Sequence, residues 1–296
     1  MFNFLIFRTD RIGDFLLTAI LVNSIKRNNP KTNINIVASQ KNYKYIRTFN
    51  NIDNVLVLKN TFFEKLKFIL KYKNNKYDYI IVHDNKKRSL FVSKFLNSKS
   101  ILFLKNDKNM KHIDQIKCIL HELNFNFSET DLSTLENRYN QIKNLPIDYI
   151  VFHFDEKWFN KLYIKDYTDI EPTEKKLIDF LNSLYFKTQK KIVITTGENC
   201  PTLLDNIDKI LDNKKFLLFK KLDFYSLESI VSKCQLLIAC HGAISHISAA
   251  KNIRQIDIIE KSKSEFYKLW TSHFRNYYHI NRKKFDLLSK EILELI

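Results

Sequence analysis

Short apolar runs alternate with stretches of helical period along most of this chain. The runs predict strands at Asn3–Phe7, Asn33–Ala38, Asn54–Leu58, Tyr77–His83 and Ser100–Leu104. Helical spacing between them predicts helices at Asp14–Lys26, Thr61–Lys73, Ser89–Asn97 and Ile113–Leu123. The scheme then repeats. Strands are expected at Asp148–Phe154, Lys191–Thr195, Lys215–Phe219, Leu236–Ala239 and Gln255–Ile259. Helices are expected at Thr173–Phe186, Pro201–Asp212, Ser226–Lys233 and Ser245–Lys251, with a terminal amphipathic helix at Phe285–Ile296. Strand–helix alternation of this kind implies parallel sheets joined by crossover helices, an α/β fold. Between Phe125 and Pro146 the alternation lapses into a polar stretch that ends in proline. That stretch reads as a linker, dividing the chain into domains at 1–146 and 147–296.

Glycine is scarce: three in 296 residues, where average usage would give roughly twenty. Each stands where an apolar run gives way to a predicted helix: Gly13 in RTDRIGD, Gly197 in ITTGEN and Gly242 in IACHGAISH. A strand, a glycine turn and a helix N-terminus together cradle phosphate in α/β proteins. One such turn opens the chain and two lie in its second half. The layout suggests two nucleotide-fold halves facing across a cleft bordered by Gly13, Asp14, Gly197 and Gly242. The plainer reading is that glycine relieves crowding at three tight turns.

The turn Arg8-Thr9-Asp10-Arg11-Ile12-Gly13-Asp14 packs two carboxylates and two guanidinium groups at a strand's C-terminal end, where open sheets bind ligands. Asp14 there suits a general base that takes a proton from a hydroxyl. Arg8 and Arg11 suit an anionic ligand. Alternatively, Asp14 caps the helix within a surface ion network. Cys240-His241-Gly242-Ala243-Ile244-Ser245-His246 follows a buried strand and opens a helix of small residues. Small side chains let backbone amides approach a diphosphate, and His241 and His246 offer further donors. Lys157 can offset charge on a departing phosphate. Glu198 can bind ribose hydroxyls. The basic turn around Asp84, Lys87 and Arg88 can meet a phosphorylated acceptor.

The formal charge is +17, from 49 Lys and Arg against 32 Asp and Glu. It points to anionic partners: a nucleotide substrate, a phosphorylated lipid or an anionic membrane surface. The lysines are scattered and no RNP, KH or zinc signature is present, so nucleic acid is not expected as a partner. No apolar run approaches the roughly 18 residues of a membrane span. The cysteines, Cys118, Cys200, Cys234 and Cys240, form no CxxC pair. A zinc ribbon or thioredoxin-type motif is therefore not expected, no cofactor is called for by these residues, and reduced thiols suit the cytoplasm.

Taken together, these motifs resemble glycosyltransferase family 9, the bacterial heptosyltransferases of the lipopolysaccharide inner core. RTDRIGDFLLTAILVNSIKRNNPKTNINIV is similar to the family's opening strand, R-x-x-x-x-GD turn and helix. YDYIIVHDNKKRS resembles its acceptor-side strand and loop. SLESIVSKCQLLIACHGAISHISAAKNIRQIDII resembles its donor segment, in which D-[ST]-G and H-x-x-AA follow a strand. The resemblance implies a GT-B fold, two Rossmann-like domains facing across a cleft, with an N-terminal acceptor side and a C-terminal nucleotide-sugar side. It implies inverting, metal-independent transfer from a nucleotide sugar to a glycolipid or oligosaccharide acceptor, in the cytoplasm or on the inner face of its membrane. Carried over by position, Asp14 is the base and Gly13 shapes its turn. Arg8, Asp10, Arg11, Asp84, Lys87 and Arg88 fall on the acceptor side. Lys157, Gly197, Glu198, His241, Gly242, Ala243 and His246 fall on the donor side, with Lys161 a competitor for the role of Lys157. Two departures stand out. Cys240 and His241 replace the family's Asp and Ser or Thr, and the Gly242–His246 spacing is one residue longer than usual. Alternative readings are a nucleotide-sugar epimerase of the same fold and a non-catalytic basic protein that binds RNA or membrane.

Overall fold

Strands in this protein form where β-branched and aromatic residues run together, and the central ones are apolar on both faces because helices cover both sides of the sheet. The computed structural model describes residues 1–105, 107, 109–135, 142, 144–159 and 167–296. Lys161 and residues 136–141 and 143 of the predicted linker lie outside the described residues. The chain divides into two compact units: Met1–Thr134 with Leu269–His273, and Leu135–Lys268 with Phe274–Ile296.

In the first unit the elements run β1 (Asn3–Phe7), α1 (Ile12–Asn28), β2 (Asn33–Ala38), α2 (Tyr43–Ile46), β3 (Asn54–Val57), α3 (Phe62–Tyr72), β4 (Tyr77–Val82), α4 (Lys87–Ser93), β5 (Ser98–Phe103) and α5 (His112–Glu122). The sheet order is β3-β2-β1-β4-β5, and every neighbouring pair is parallel. The first strand thus lies at the centre, with Phe4, Leu5, Ile6 and Phe7 wholly buried. Residues 15–22 of α1 are buried without a break, so α1 is an interior helix with no polar face over that stretch.

The polar stretch expected to be linker begins as part of this unit. A 3-10 turn at Glu129–Leu132 carries Asp131 against α1. Its carboxylate accepts from Ser24 Oγ at 2.7 Å, from Arg27 Nε at 2.8 Å and from the Ser128 amide at 2.8 Å. Burial alone would raise the Asp131 pKa. Arg27, Ser24 and Ser128 outweigh it and lower the value.

In the second unit the elements are β6 (Tyr149–His153), α6 (Glu174–Thr188), β7 (Lys191–Thr195), α7 (Thr202–Ile207), β8 (Phe216–Phe219), α8 (Phe224–Val231), β9 (Leu236–Cys240), α9 (Ala243–Ala250), β10 (Arg254–Ile259), α10 (Ser264–Trp270), β11 (Tyr277–Asn281) and α11 (Phe285–Glu294). The sheet order is β11-β10-β9-β6-β7-β8, again parallel throughout. Trp158, Phe152, Phe154, Phe180 and Phe285 form an aromatic core beneath β6. The strand β11 and the helix α10 have no counterpart in the sequence pattern. Only Ile280 of β11 is buried and no residue of α10 is, so neither carries a periodic apolar signal. The helix expected over Pro201–Asp212 ends at Ile207 and tightens into a 3-10 turn, Asp208–Ile210.

Asp131→Ala should lower stability by about 2 kcal/mol, the scale of a lost charge-assisted hydrogen-bond set on a buried carboxylate whose arginine partner is partly exposed. Urea unfolding checks this, and an unchanged midpoint would mean that the 3-10 turn is not anchored through its carboxylate.

Candidate active site

The first strand of each unit is flanked by two later strands, which makes a topological switch point at its C-terminal end. In the first unit Phe7 is in register with Val37 on one side and Val82 on the other. The chain leaving β1 therefore emerges beside the chain leaving β4. Arg8 is buried there. Its Nε donates to Thr18 Oγ1 at 2.6 Å, Nη1 pairs with Asp10 Oδ2 at 3.0 Å, and Nη2 donates to His83 Nδ1 at 2.6 Å. Burial first, then the Arg8 charge, holds His83 well below the usual histidine pKa. His83 is therefore neutral and accepts through Nδ1. Asp84 Oδ2 accepts from the Thr9 amide at 2.9 Å, from Thr9 Oγ1 at 2.5 Å and from Ser89 Oγ at 2.8 Å. Asn85 adopts a left-handed backbone, φ 47°, and the Lys86 amide reaches Asp84 Oδ1 at 3.1 Å. Arg8 and Asp84 thus spend these polar atoms on holding the two turns together.

Asp10, Arg11, Lys87 and Arg88 line a cavity of about 630 Å³, with Arg88 also donating its Nε to Thr9 Oγ1 at 2.8 Å and Asp10 paired with Arg8. Lys41, Lys59, Lys65 and Lys86 line it too, from the loops after β2, β3 and β4 and from α3. Lys86 belongs to the basic turn that the sequence marks, but sequence reasoning did not single out Lys41, Lys59 and Lys65. Their signal is positional, since loops after parallel neighbours share one sheet edge. Asp10 is the one carboxylate on the cavity wall. Burial raises its pKa, Arg8 opposes that, and Asp14 and Asp84 add to it. Its Oδ1 is buried without a hydrogen-bond partner. Asp14 does not line the cavity. It is the third residue of α1, and its Oδ2 accepts the Arg11 amide at 3.1 Å. Gly13 lies inside α1 rather than in the turn before it. His112, at the start of α5, has its pKa lowered to about 4 by burial and then by Arg8, while the Asp14 charge acts the other way. Nothing in the sequence pattern marks His112.

In the second unit His153 is in register with Ala239 and Thr195, so the segments after β6, β7 and β9 emerge together. Asp155 is buried, and its Oδ2 accepts from Lys157 Nζ at 2.8 Å. Burial would raise the Asp155 pKa. Lys157 and His153 reverse the sign and hold it well below the usual carboxylate range. The Lys157 ammonium is seated over Gly242, where a Cβ would lie 2.5 Å from Nζ. Gly242 has an extended backbone, φ −178°, so the constraint on it is space rather than dihedral freedom. At Gly197 a Cβ would meet Glu156 Oε2 at 3.7 Å, an ordinary contact. Glu198 is exposed beside it.

Gly242 caps α9, whose first residue is Ala243. His241 Nδ1 lies 2.5 Å from Asp257 Oδ2, and Asp257 Oδ1 accepts from Ser245 Oγ at 2.6 Å. Tyr277 OH donates to Asp257 Oδ2 at 3.3 Å. The His241 ring also packs on Tyr267, with centroids 4.4 Å apart, and lies 5.6 Å from the buried His246 ring. Buried Arg282 donates to the Lys157 carbonyl at 2.8 Å and to the Thr168 carbonyl at 3.1 Å, and its Nη1 lies 3.5 Å from Cys240 Sγ. Burial pushes the Cys240 thiol up to about 12, so it stays protonated. Lys157, His241, Gly242, Ala243 and His246 are thus gathered around one helix N-terminus. Asp155, Asp257 and Arg282 hold them and were missed, since buried ion partners look like any other charged residue in sequence.

All four cysteines are free thiols. Among the described residues no group of three or more His, Cys, Asp or Glu side chains has a metal-binding arrangement, and no helix is long and apolar enough to cross a membrane.

This architecture of two parallel α/β sheets is that of known nucleotide-sugar enzymes. The structure of E. coli heptosyltransferase WaaC with ADP-2-deoxy-2-fluoro heptose superposes with a TM-score of 0.72 at 10% identity, over 99% of this chain and 100% of that one. A glycosyl transferase family 9 structure from Veillonella parvula gives 0.69 at 13% identity, over 99% and 90%. A putative UDP-N-acetylglucosamine 2-epimerase from Listeria monocytogenes gives 0.61 at 12%, over 99% and 87%. These likenesses establish the GT-B fold class. No protein-family model matches the sequence, and no curated protein matches it.

The folded pKa of Asp155 is depressed, so its contribution to stability is complete above the unfolded carboxylate value of about 3.9 and is lost as pH falls toward the folded value. Asp155→Ala should cost about 3 kcal/mol at neutral pH by stranding Lys157 and His153, and should flatten the acid limb of stability against pH. Urea midpoints across that range check both effects. A variant as stable and as acid-sensitive as the parent would show that the pair contributes nothing.

Proposed function

We propose that the protein is an inverting glycosyltransferase of the family 9 type. In this reading it moves a sugar, a heptose or a relative of one, from a nucleoside diphosphate to a hydroxyl of an anionic surface glycan. The observation that carries the reading is the Lys157 ammonium seated over Gly242 at the start of α9. A cation, a helix N-terminus and an orienting buried carboxylate converge there, which is the equipment for a diphosphate leaving group. The superposed structures include one bound to an ADP-sugar analogue, which supports the same ligand class here.

The chemistry follows from the parts. A carboxylate of the first unit takes the proton of the acceptor hydroxyl as its oxygen bonds to the anomeric carbon. The bond from that carbon to the diphosphate breaks on the opposite face, which inverts the configuration. Negative charge grows on the departing diphosphate, and Lys157, the α9 N-terminus and His241 meet it. His241 is held in one orientation by Asp257. The acceptor's own anionic groups fall to the cationic cavity of Arg11, Lys87, Arg88 and their lysine neighbours. Neutralisation by side chains and helix leaves this mechanism without need of a metal or cofactor.

A thermal-shift screen of ADP, UDP, GDP and CMP against the parent chain should single out one nucleoside diphosphate. Gly242→Ala should lower the unliganded melting temperature less than Asp155→Ala does, because the tip of Lys157 must shift but can keep its bond to Asp155. It should weaken that diphosphate by roughly tenfold, the scale of one charge-assisted hydrogen bond. A variant that keeps parental affinity would show that Lys157 and Gly242 do not hold the ligand.

Two carboxylates compete as the base. Asp14 matches the family position, while Asp10 faces the cavity with a raised pKa and an unpartnered oxygen. Asp14→Asn keeps an oxygen for the Arg11 amide, so folding and nucleotide binding should persist while transfer slows by roughly a hundredfold or more. Near-normal turnover by Asp14→Asn with collapse in Asp10→Asn would move the role to Asp10. Conversion of the nucleotide sugar without any acceptor would favour the epimerase reading instead.

A further inference from the structure

The helix α3 carries two apolar stripes where a surface helix ordinarily has one. Phe68 and Ile69 point into the unit and are buried against its core. On the outer side Phe62, Leu66 and Leu70 recur at i, i+4 and i+8, with Phe63 beside them. Phe63 is 82% exposed, Leu70 65% and Phe62 60%. The neighbouring helix α4 packs on α3. Around it Phe91 and Phe95 stack at 5.1 Å, and both are exposed. These six exposed side chains lie on two packed helices, and among the described residues nothing covers them.

Cations frame that surface. Lys65, Lys67 and Lys71 lie on α3, and Lys73 caps it. Lys87 and Arg88 open α4, and Lys94 caps it. The acidic residue of α3, Glu64, faces Lys59 at 3.5 Å. Lys59 and Lys65 bracket Phe62 and Phe63 in sequence, and both line the cationic cavity together with Lys86, Lys87 and Arg88. The apolar stripe and the cavity thus share one pair of helices.

We propose that the α3–α4 face docks on an anionic bilayer leaflet, with Phe62, Phe63, Leu66 and Leu70 in the interface and the flanking lysines on the headgroups. Exposed aromatic and leucine side chains with lysines on the adjoining flank are the composition of an interfacial amphipathic helix. Charge complementarity selects this occupant. A leaflet supplies acyl chains and negative headgroups together, while a second copy of this chain would set one group of lysines and arginines against another. Docking through this face presents the cationic cavity at headgroup level, where it meets anionic groups of a lipid-anchored glycan. The assignment stands apart from the transferase reading, because it needs neither donor nor acceptor to be observed.

The test is co-sedimentation of the full chain with phosphatidylcholine vesicles and with vesicles containing one-third phosphatidylglycerol. The parent should bind the anionic vesicles, leave the neutral ones, and be released by high salt. The double variant Phe62→Ser with Phe63→Ser should bind roughly tenfold more weakly, with its melting temperature unchanged because both rings are exposed. Phe186→Ser, at the exposed Phe186 of α6 in the second unit, should bind like the parent. Transfer to a soluble acceptor should be unaffected in the double variant, which separates failure of docking from failure of chemistry. Equal binding to both vesicle types, or parental binding by the double variant, would overturn the proposal. So would a parent that is dimeric in gel filtration and becomes monomeric in the double variant, which would give the face to a second copy.

Discussion

The placement of the first strand of each unit between two later ones governs everything that happens at its end. In β1 and again in β6, neighbours on both sides run parallel in close register. Such a strand is buried on both faces and along both edges, so the chain leaving it has one exit, beside the exits of its neighbours. Arg8, Thr9 and Asp10 therefore emerge against His83 and Asp84, and Asp155 and Lys157 against Cys240 to Gly242. Polar groups packed so closely must satisfy one another, and most do. Thr9 with Asp84, Arg8 with His83, and Lys157 with Asp155 are the bonds that this crowding requires.

The two units spend charge differently. The second gathers a few groups around one helix N-terminus and locks each with a buried partner: Asp155 on Lys157, Asp257 on His241, Arg282 on the Lys157 backbone. That arrangement is pre-organised and suits a ligand with one fixed anionic centre. The first unit spreads its cations over a wide cavity from several loops. Such a wall tolerates anionic groups at varied positions.

The scarcity of glycine has a structural sequel. No glycine occupies a left-handed conformation. Among the described residues that role falls to Asn85, Asn124, Asn144, Asn252 and Asn276, with Gln189 and Lys221. Asparagine tolerates this region better than other side chains do. Gly242 is therefore kept for a different reason, the approach of Lys157. Gly197 carries no comparable requirement, since a Cβ there would make only an ordinary contact with Glu156.

Much of the α/β plan was legible in the amino-acid order. Buried strands rich in β-branched and aromatic residues stand out from their surroundings, and β1, β2 and β7 match the expected spans to the residue. Edge elements such as β11 and α10 bury too little to leave a period. Polar segments can also be anchored by partners distant in sequence, as Asp131 is by Ser24 and Arg27. The order of residues determined by itself where most of the buried strands lie and where the polar turns after them fall, because burial and chain punctuation are local properties. Tertiary structure alone decided which charges line a cavity and which are bonded within the protein. Arg8 and Arg11 are equivalent in the sequence motif, yet one is buried in a hydrogen-bond network and the other lines a cavity. The physical reason is that a buried charge is defined by its partners, and those partners arrive from strands and loops tens of residues away.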